Sequence, residues 1–327
     1  MSRIFRSDTV SVGERVVARR EFGDVHSDVI GHVLSLDPLV IRPQEVGGYP
    51  SSLEAVEIPP EQLKIIKRLS PRTVRNSDIR AAEVAAAAAS PGAEQEWTAD
   101  GQWLMRASDG ITSQANSAIP LGHSAGFLPV PIDDIDAFFA RHHLPTCLAI
   151  PERIGKSAEK LIDADPGAWE MGPEILVMVR ALDQLPEPAG AAFTADAQPD
   201  PAWLDLYHSG SQPSEALAAP AEGTAVFARL LADTGETTAI ARGTLTESGD
   251  GTVWLGLSAL TVAADQQDTR LEAELAAHLL TWGKDHGAEK AWLEIEASDS
   301  TGVQLAEGLG FLEQHRHRYA RRRGQVT

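Results

Sequence analysis

Hydrophobic and polar positions alternate in short runs over the first seventy residues. Residues 10–19 (VSVGERVVAR), 28–35 (DVIGHVLS), 39–43 and 55–58 are Val- and Ile-rich stretches punctuated by Gly, Pro and Asp, a pattern that predicts short strands. Strands at this spacing predict a small antiparallel barrel. The next stretch, 58–67, reads as a helical turn or a short exit strand. Asn76 then reads as a helix cap, and residues 81–89 as an alanine-rich helix ended by Ser90, Pro91 and Gly92. Residues 102–106 and 114–120 read as strands joined by a turn over 107–110. Ile132, Ile135, Phe138 and Phe139 recur at helical spacing. A strand over 146–150, a helix over 154–164 and a strongly apolar strand over 174–180 complete this part.

Residues 184–200 hold Pro186, Pro188, Pro199 and many alanines, the composition of a linker. Beyond it, a helical segment opens at 203–207. Strands follow at 225–231 and 237–246, then a turn at Gly249-Asp250-Gly251 and a long apolar strand at 252–262. Leu271, Leu275, Leu279, Leu280 and Trp282 mark a helix over 270–286. A strand over 290–296, a short helix over 302–308 and a basic final strand end the pattern. The expected organisation is therefore a barrel over 1–70, an α+β module over 71–183, a linker over 184–200 and a second mixed α/β module over 201–327. The two modules share a loose β-α-β order, which hints at duplication.

Composition changes this picture little. Of the 327 residues 43% are hydrophobic, enough for sizeable cores. The formal net charge of −19 argues against nucleic acid as a partner, because an acidic surface repels a phosphate backbone. No apolar stretch is long enough to span a bilayer, and the first residues lack the apolar core of a signal peptide. A cytoplasmic protein with no membrane partner is expected. The single cysteine, Cys147, lies in an apolar run and reads as a small buried hydrophobe. His142 and His143 lack matching ligands, and His315 with His317 make a poor zinc pair, so no metal site is expected. Trp103, Trp254, Trp282 and Trp292 read as core anchors. Arg316, Arg318 and residues 321–323 read as a solvated basic tail.

One ordered set of pieces is more specific. Leu260-Thr261-Val262 ends the long strand, a loop over 263–269 enters a helix, and the next strand ends at Ala297. Leu305-Ala306-Glu307-Gly308-Leu309-Gly310-Phe311 follows. This order, with its Leu-Gly-Phe ending, resembles the GNAT superfamily of N-acetyltransferases over about residues 225–320. Residues 31–39, 74–80, 103–106 and 115–118 extend the resemblance to an actinobacterial architecture with an SH3-type barrel and tandem GNAT-like regions. The resemblance implies an α+β fold, a small N-terminal β-barrel followed by a mixed sheet flanked by helices. It also implies acetyl-CoA or another acyl-CoA as co-substrate, and an amine-bearing small molecule or protein amine as acceptor. The oligomeric state stays open.

On the same resemblance, Leu260, Thr261 and Val262 hold the thioester end of the co-substrate. Gln267, Asp268, Thr269, Arg270, Leu271 and Glu272 occupy the phosphate loop, where backbone N–H groups and a helix N-terminus would bind pyrophosphate. The family's small residues are replaced there by Arg270 and Glu272. A carboxylate at a helix N-terminus complements the same positive end a phosphate would use, so weakened CoA binding is expected, with Arg270 able to compensate by pairing with a phosphate. The family's acidic Tyr is Ala306, which has no proton to give. Asp299 and Glu296 are the candidate bases, while Asp299 also reads as a helix cap and Glu294 with Glu296 as the polar side of a strand. Three readings remain open: direct acyl transfer to an amine, a degenerate fold that binds a ligand or partner without transfer, and a barrel that captures partners with the rest as scaffold.

Overall fold

The computed structural model describes residues 9–90, 92–188, 190–210, 222–264 and 269–324. The first strands are β1 Arg15–Phe22, β2 Val25–Leu36, β3 Leu39–Pro43, β4 Val56–Ile58 and β5 Leu63–Arg68. They pair in the order β4-β3-β2-β1-β5, the SH3-like arrangement expected. Alternation along each strand sends Val16, Ala18, Val29, Val33, Leu39 and Ile41 to one side, where they bury with Ile58 as a separate core. The stretch left open between a helical turn and a strand is the strand β5.

The rest of the chain builds one 12-stranded sheet in two series. The first runs α1 Asn76–Ala89, β6 Glu94–Trp97, β7 Leu104–Ala107, β8 Ala118–Ile119, α2 Ile132–Arg141, β9 Cys147–Pro151, α3 Lys156–Ala164, β10 Trp169–Met171 and β11 Ile175–Ala181. The second runs β12 Ala192–Asp196, α4 Pro201–Gly210, β13 Gly223–Leu231, β14 Thr237–Glu247, β15 Val253–Val262, α5 Thr269–Asp285, β16 Lys290–Glu296, α6 Ser300–Gly308 and β17 Leu312–Arg322. Each series has a parallel pair, β8 with β9 and β15 with β16, connected through a helix as parallel strands require.

The two series are joined by exchange. The sheet order is β12-β13-β14-β15-β16-β11-β17-β9-β8-β7-β6, with the twelfth strand, β10, pairing with β17 off this path. Strand β11 of the first series lies between β16 and β17 of the second, and β17 pairs in turn with β9 of the first. Each series therefore completes its sheet with a strand from the other.

Several sequence expectations need correction. The Pro- and Ala-rich stretch read as a linker carries the edge strand β12, which half-buries Phe193 and Ala195 against the core within a stretch whose prolines and alanines mask the alternation. Strand β6 is exposed along its whole length and so lacked an apolar signal. Helix α1 begins at Asn76, one residue past its cap, and the Asp78 carboxylate accepts the backbone N–H of Arg75 at 2.7 Å. The basic tail is solvated only at Arg321 and Arg323; Arg316 and Arg318 lie within β17, an inner strand of the sheet. Arg316 is 7% exposed and pairs with Glu174 at 2.6 Å and Glu313 at 2.8 Å. Glu313 belongs to the same strand, but Glu174 comes from elsewhere in the chain, which is why the local pattern read as solvent-facing. Cys147 is buried, and that burial pushes its thiol up to about 11. Trp103, Trp254 and Trp292 are core residues, whereas Trp282 is half-buried and stacks on His286.

Helices cover both faces of the second series. Neighbouring strand residues point to opposite sides, so Trp254 packs under α1 while Leu255 packs under α5. The alanines Ala82, Ala85 and Ala89 let α1 approach Trp254 and Trp292 closely. Gly256 is tighter still: a Cβ there would stand 2.7 Å from the Trp292 ring and 2.6 Å from Thr244 Oγ1. Gly256→Ala should therefore cost about 1–3 kcal/mol through overpacking. Denaturant unfolding checks this, and a midpoint equal to that of the unsubstituted protein would count against so rigid a contact.

Candidate active site

The site begins where β15 and β16 part. Their ladder runs Trp254 to Lys290, Leu255 to Ala291 and Gly256 to Trp292, and stops there, although β15 continues to Val262 and β16 to Glu296. On its other side β15 bulges: Ile240 pairs with Thr261 but Arg242 with Ser258, so Ala259 and Leu260 together oppose one residue of β14. Ala259 takes a left-handed φ of 53°, an uncommon conformation for a residue with a Cβ. A bulge bends its strand and takes the extra residue out of the ladder. Both features open a wedge between the two strands.

A cavity of about 270 Å³ fills the wedge. Leu257, Ser258 and Ala259 form one wall, and Trp292, Glu294, Ile295 and Glu296 the other, with Ile175 and Gln114 at its edges. Gln114 comes from the first series and donates its amide N–H to Glu294. A second, larger groove of about 710 Å³ runs between α5 and α6, lined by Arg270, Ala273, Glu274, Thr301, Gln304 and Leu305 among others.

The structure sorts the expected residues. Glu296 stands on the cavity wall. Asp299 does not line it: its carboxylate accepts the Gly302 N–H at 2.9 Å and caps α6. Leu260 sits in the bulge on β15 and Thr261 and Val262 follow it; none of the three lines the cavity. Arg270 lines the groove. Glu272, in the first turn of α5, is half-buried, and burial together with the nearby Asp299 raises its pKa. Leu271 packs against the core under α5. Thr269 begins α5, and Gln267 and Asp268 lie outside the described residues.

Sequence reasoning missed Glu83, and it read Glu294 as the polar side of a strand, whereas Glu294 stands on the cavity wall. Glu83 is 3% exposed, and its Oε1 is 2.8 Å from His315 Nε2 and 3.1 Å from His317 Nδ1. Burial alone would raise the carboxyl's pKa, but His317 and His315 overcome this and hold it well below the usual carboxylate range. Burial would likewise lower His317, yet Glu294 and Glu83 raise it above its ordinary value. A lone Glu inside an alanine-rich helix was the available signal. Among the described residues, no group of three or more His, Cys, Asp or Glu side chains is placed to hold a metal ion. No described helix is long and apolar enough to cross a membrane.

A parallel pair splayed at a bulge, followed by a helix N-terminus, a strand and a short helix, defines a GNAT fold. A GCN5-related N-acetyltransferase from Kribbella flavida has the same fold, with a TM-score of 0.57 at 14% identity over 75% of this chain and 95% of that one. The family model described as "Probable histone acetyltransferase Rv0428c C-terminal" matches residues 76–320. A protein of Mycobacterium tuberculosis strain H37Rv, named "Probable histone acetyltransferase Rv0428c", is 34% identical over 313 residues, 94% of each chain. The chain belongs to this Rv0428c family.

Proposed function

We propose that the protein transfers an acetyl or other acyl group from acyl-CoA to an amine by direct attack. The observation that carries this reading is the parting of β15 and β16, which sets a bulged backbone opposite two carboxylates. The wedge fits the acyl-bearing arm of the co-substrate, and the groove holding Arg270 fits its phosphates. The bulge offers backbone N–H groups around Ala259 and Leu260 to polarise the thioester carbonyl. Glu294, with Glu296 beside it, takes a proton from the substrate ammonium. The freed nitrogen bonds to the acyl carbon, the C–S bond breaks, and CoA leaves as the thiolate. Because Ala306 has no proton to give, solvent protonates that thiolate. An acidic wall suits a cationic amine, and the relative's name points to a protein lysine. Residues 201–327 would form the transferring domain, with 71–183 supplying Gln114 and Glu83.

A second reading, ligand binding without transfer, is favoured by Glu272 and Asp299 standing near the start of α5, where the pyrophosphate would lie. Calorimetry with acetyl-CoA separates the two. Micromolar binding, strengthened about two- to fivefold by Glu272→Gln and weakened by Arg270→Ala, supports transfer. No binding at millimolar acetyl-CoA supports the second reading and sinks the first.

A further inference from the structure

We propose that Glu83 and His317, far apart in sequence, form a buried positioning pair that holds Glu294 on the cavity wall; the inference rests on the acyl-transfer reading above. Glu83 lies on α1 of the first series and His317 on β17, the exchanged strand. An ionised carboxylate can only accept hydrogen bonds. His317 Nδ1 and His315 Nε2, both within reach of Glu83 Oε1, must therefore both be donors. That assigns His317 Nδ1–H to Glu83 and turns Nε2 toward Glu294, whose Oε2 is 3.9 Å away.

This Nε2 has no hydrogen-bond partner, although the side chain is only 1% exposed. A buried polar atom left so is costly, and 3.9 Å is too long for a direct bond. A protonated ring removes the difficulty, because an imidazolium beside a carboxylate gains from charge without needing a short contact. The groups facing His317 are Glu83 from α1, Glu294 from β16, Arg106 from β7, and His315 and Tyr319 from its own strand. Two carboxylates outweigh one guanidinium, so the ring keeps its proton. Glu294 is then held from two sides, by the imidazolium behind it and by the Gln114 amide. His317 touches no reacting atom, so it positions the base without joining the reaction.

The test is a nuclear magnetic resonance titration of the full chain with labelled histidine and no added ligand, comparing the unsubstituted protein with His317→Asn, Glu294→Gln and Glu83→Gln. His317→Asn identifies the signal and retains an amide donor for Glu83. The ring should stay protonated above pH 6.5 and titrate about one pH unit lower in Glu294→Gln and in Glu83→Gln. A His317 neutral at pH 6, or one indifferent to Glu294→Gln, overturns the proposal whatever the turnover. A second arm follows free-thiol release from acetyl-CoA with poly-L-lysine. His317→Asn should lose about 100-fold in kcat with KM for acetyl-CoA unchanged, and its alkaline limb should vanish. Unaltered kcat and pH profile in that variant overturn the positioning role. Coupling seen by resonance without turnover in the unsubstituted protein supports the pair and sinks the acyl-transfer reading instead.

Discussion

Glu83→Ala should destabilise the protein by about 3–5 kcal/mol, the cost of removing one partner from a buried ion pair. For a unit of this size the thermal midpoint would fall by roughly 10 °C. The carboxylate accepts from two buried histidines, and its loss leaves both without their acceptor in a place that water does not reach. The pH dependence is a sharper signature. His317 has a raised pKa in the folded protein, so its contribution to stability is complete below its ordinary value of 6.5 and is lost as pH rises through the folded value. Glu83 has a lowered pKa, so its contribution is complete above its ordinary value of 4.5 and is lost as pH falls. The unsubstituted protein should be most stable between these limits. In Glu83→Ala the acid-side loss from this site disappears, and the alkaline-side loss shrinks because one of the two carboxylates favouring the imidazolium is gone. Thermal unfolding from pH 4 to 9 measures both. A midpoint within about 2 °C of the unsubstituted protein at pH 6 would mean that the pair contributes little.

Glu294→Gln should lower the turnover of acetyl-CoA with an amine acceptor by about 10²–10⁴-fold, the usual worth of a positioned general base. Glutamine keeps the shape of the side chain and a carbonyl able to accept the Gln114 amide, but it cannot take a proton. Acetyl-CoA affinity should stay within about threefold, because Arg270 and the other groove residues are none of those that line this wall. Free-thiol release and calorimetry together check the two halves of the statement. Turnover within fivefold of the unsubstituted protein would move the base to Glu296, the other carboxylate on the wall.

The strength of the ordered motif explains why so much of the second series was legible. The strands over 39–43 and 290–296 have the bounds that the pattern predicts. Helix α5 shows its spacing through Leu271, Leu275 and Leu279, which pack inward together. These signals survive because each comes from burial of one face, and burial repeats at the period of the element. Edge strand β6 buries no face and so leaves no such period, and β12 half-buries only Phe193 and Ala195 on its inner side, too short a period to stand out. Asp299 was legible both as a cap and as a base; its bond to the Gly302 N–H is the cap.

The hydrophobic pattern by itself determined most of the inner elements and the small antiparallel opening, since these depend on local periodicity and on turns, while the SH3-type and GNAT likenesses came from the resemblance of the ordered motifs. Tertiary structure alone decided which polar residues meet. A basic inner strand is stable because carboxylates from distant segments meet its polar side chains, as Glu174 meets Arg316 and Glu83 meets the two histidines. The cavity likewise needs residues from both series, Gln114 from one and Glu294 from the other. Electrostatic pairing acts between side chains brought near in space, and sequence separation carries no trace of it; strand exchange between the two series brings them near.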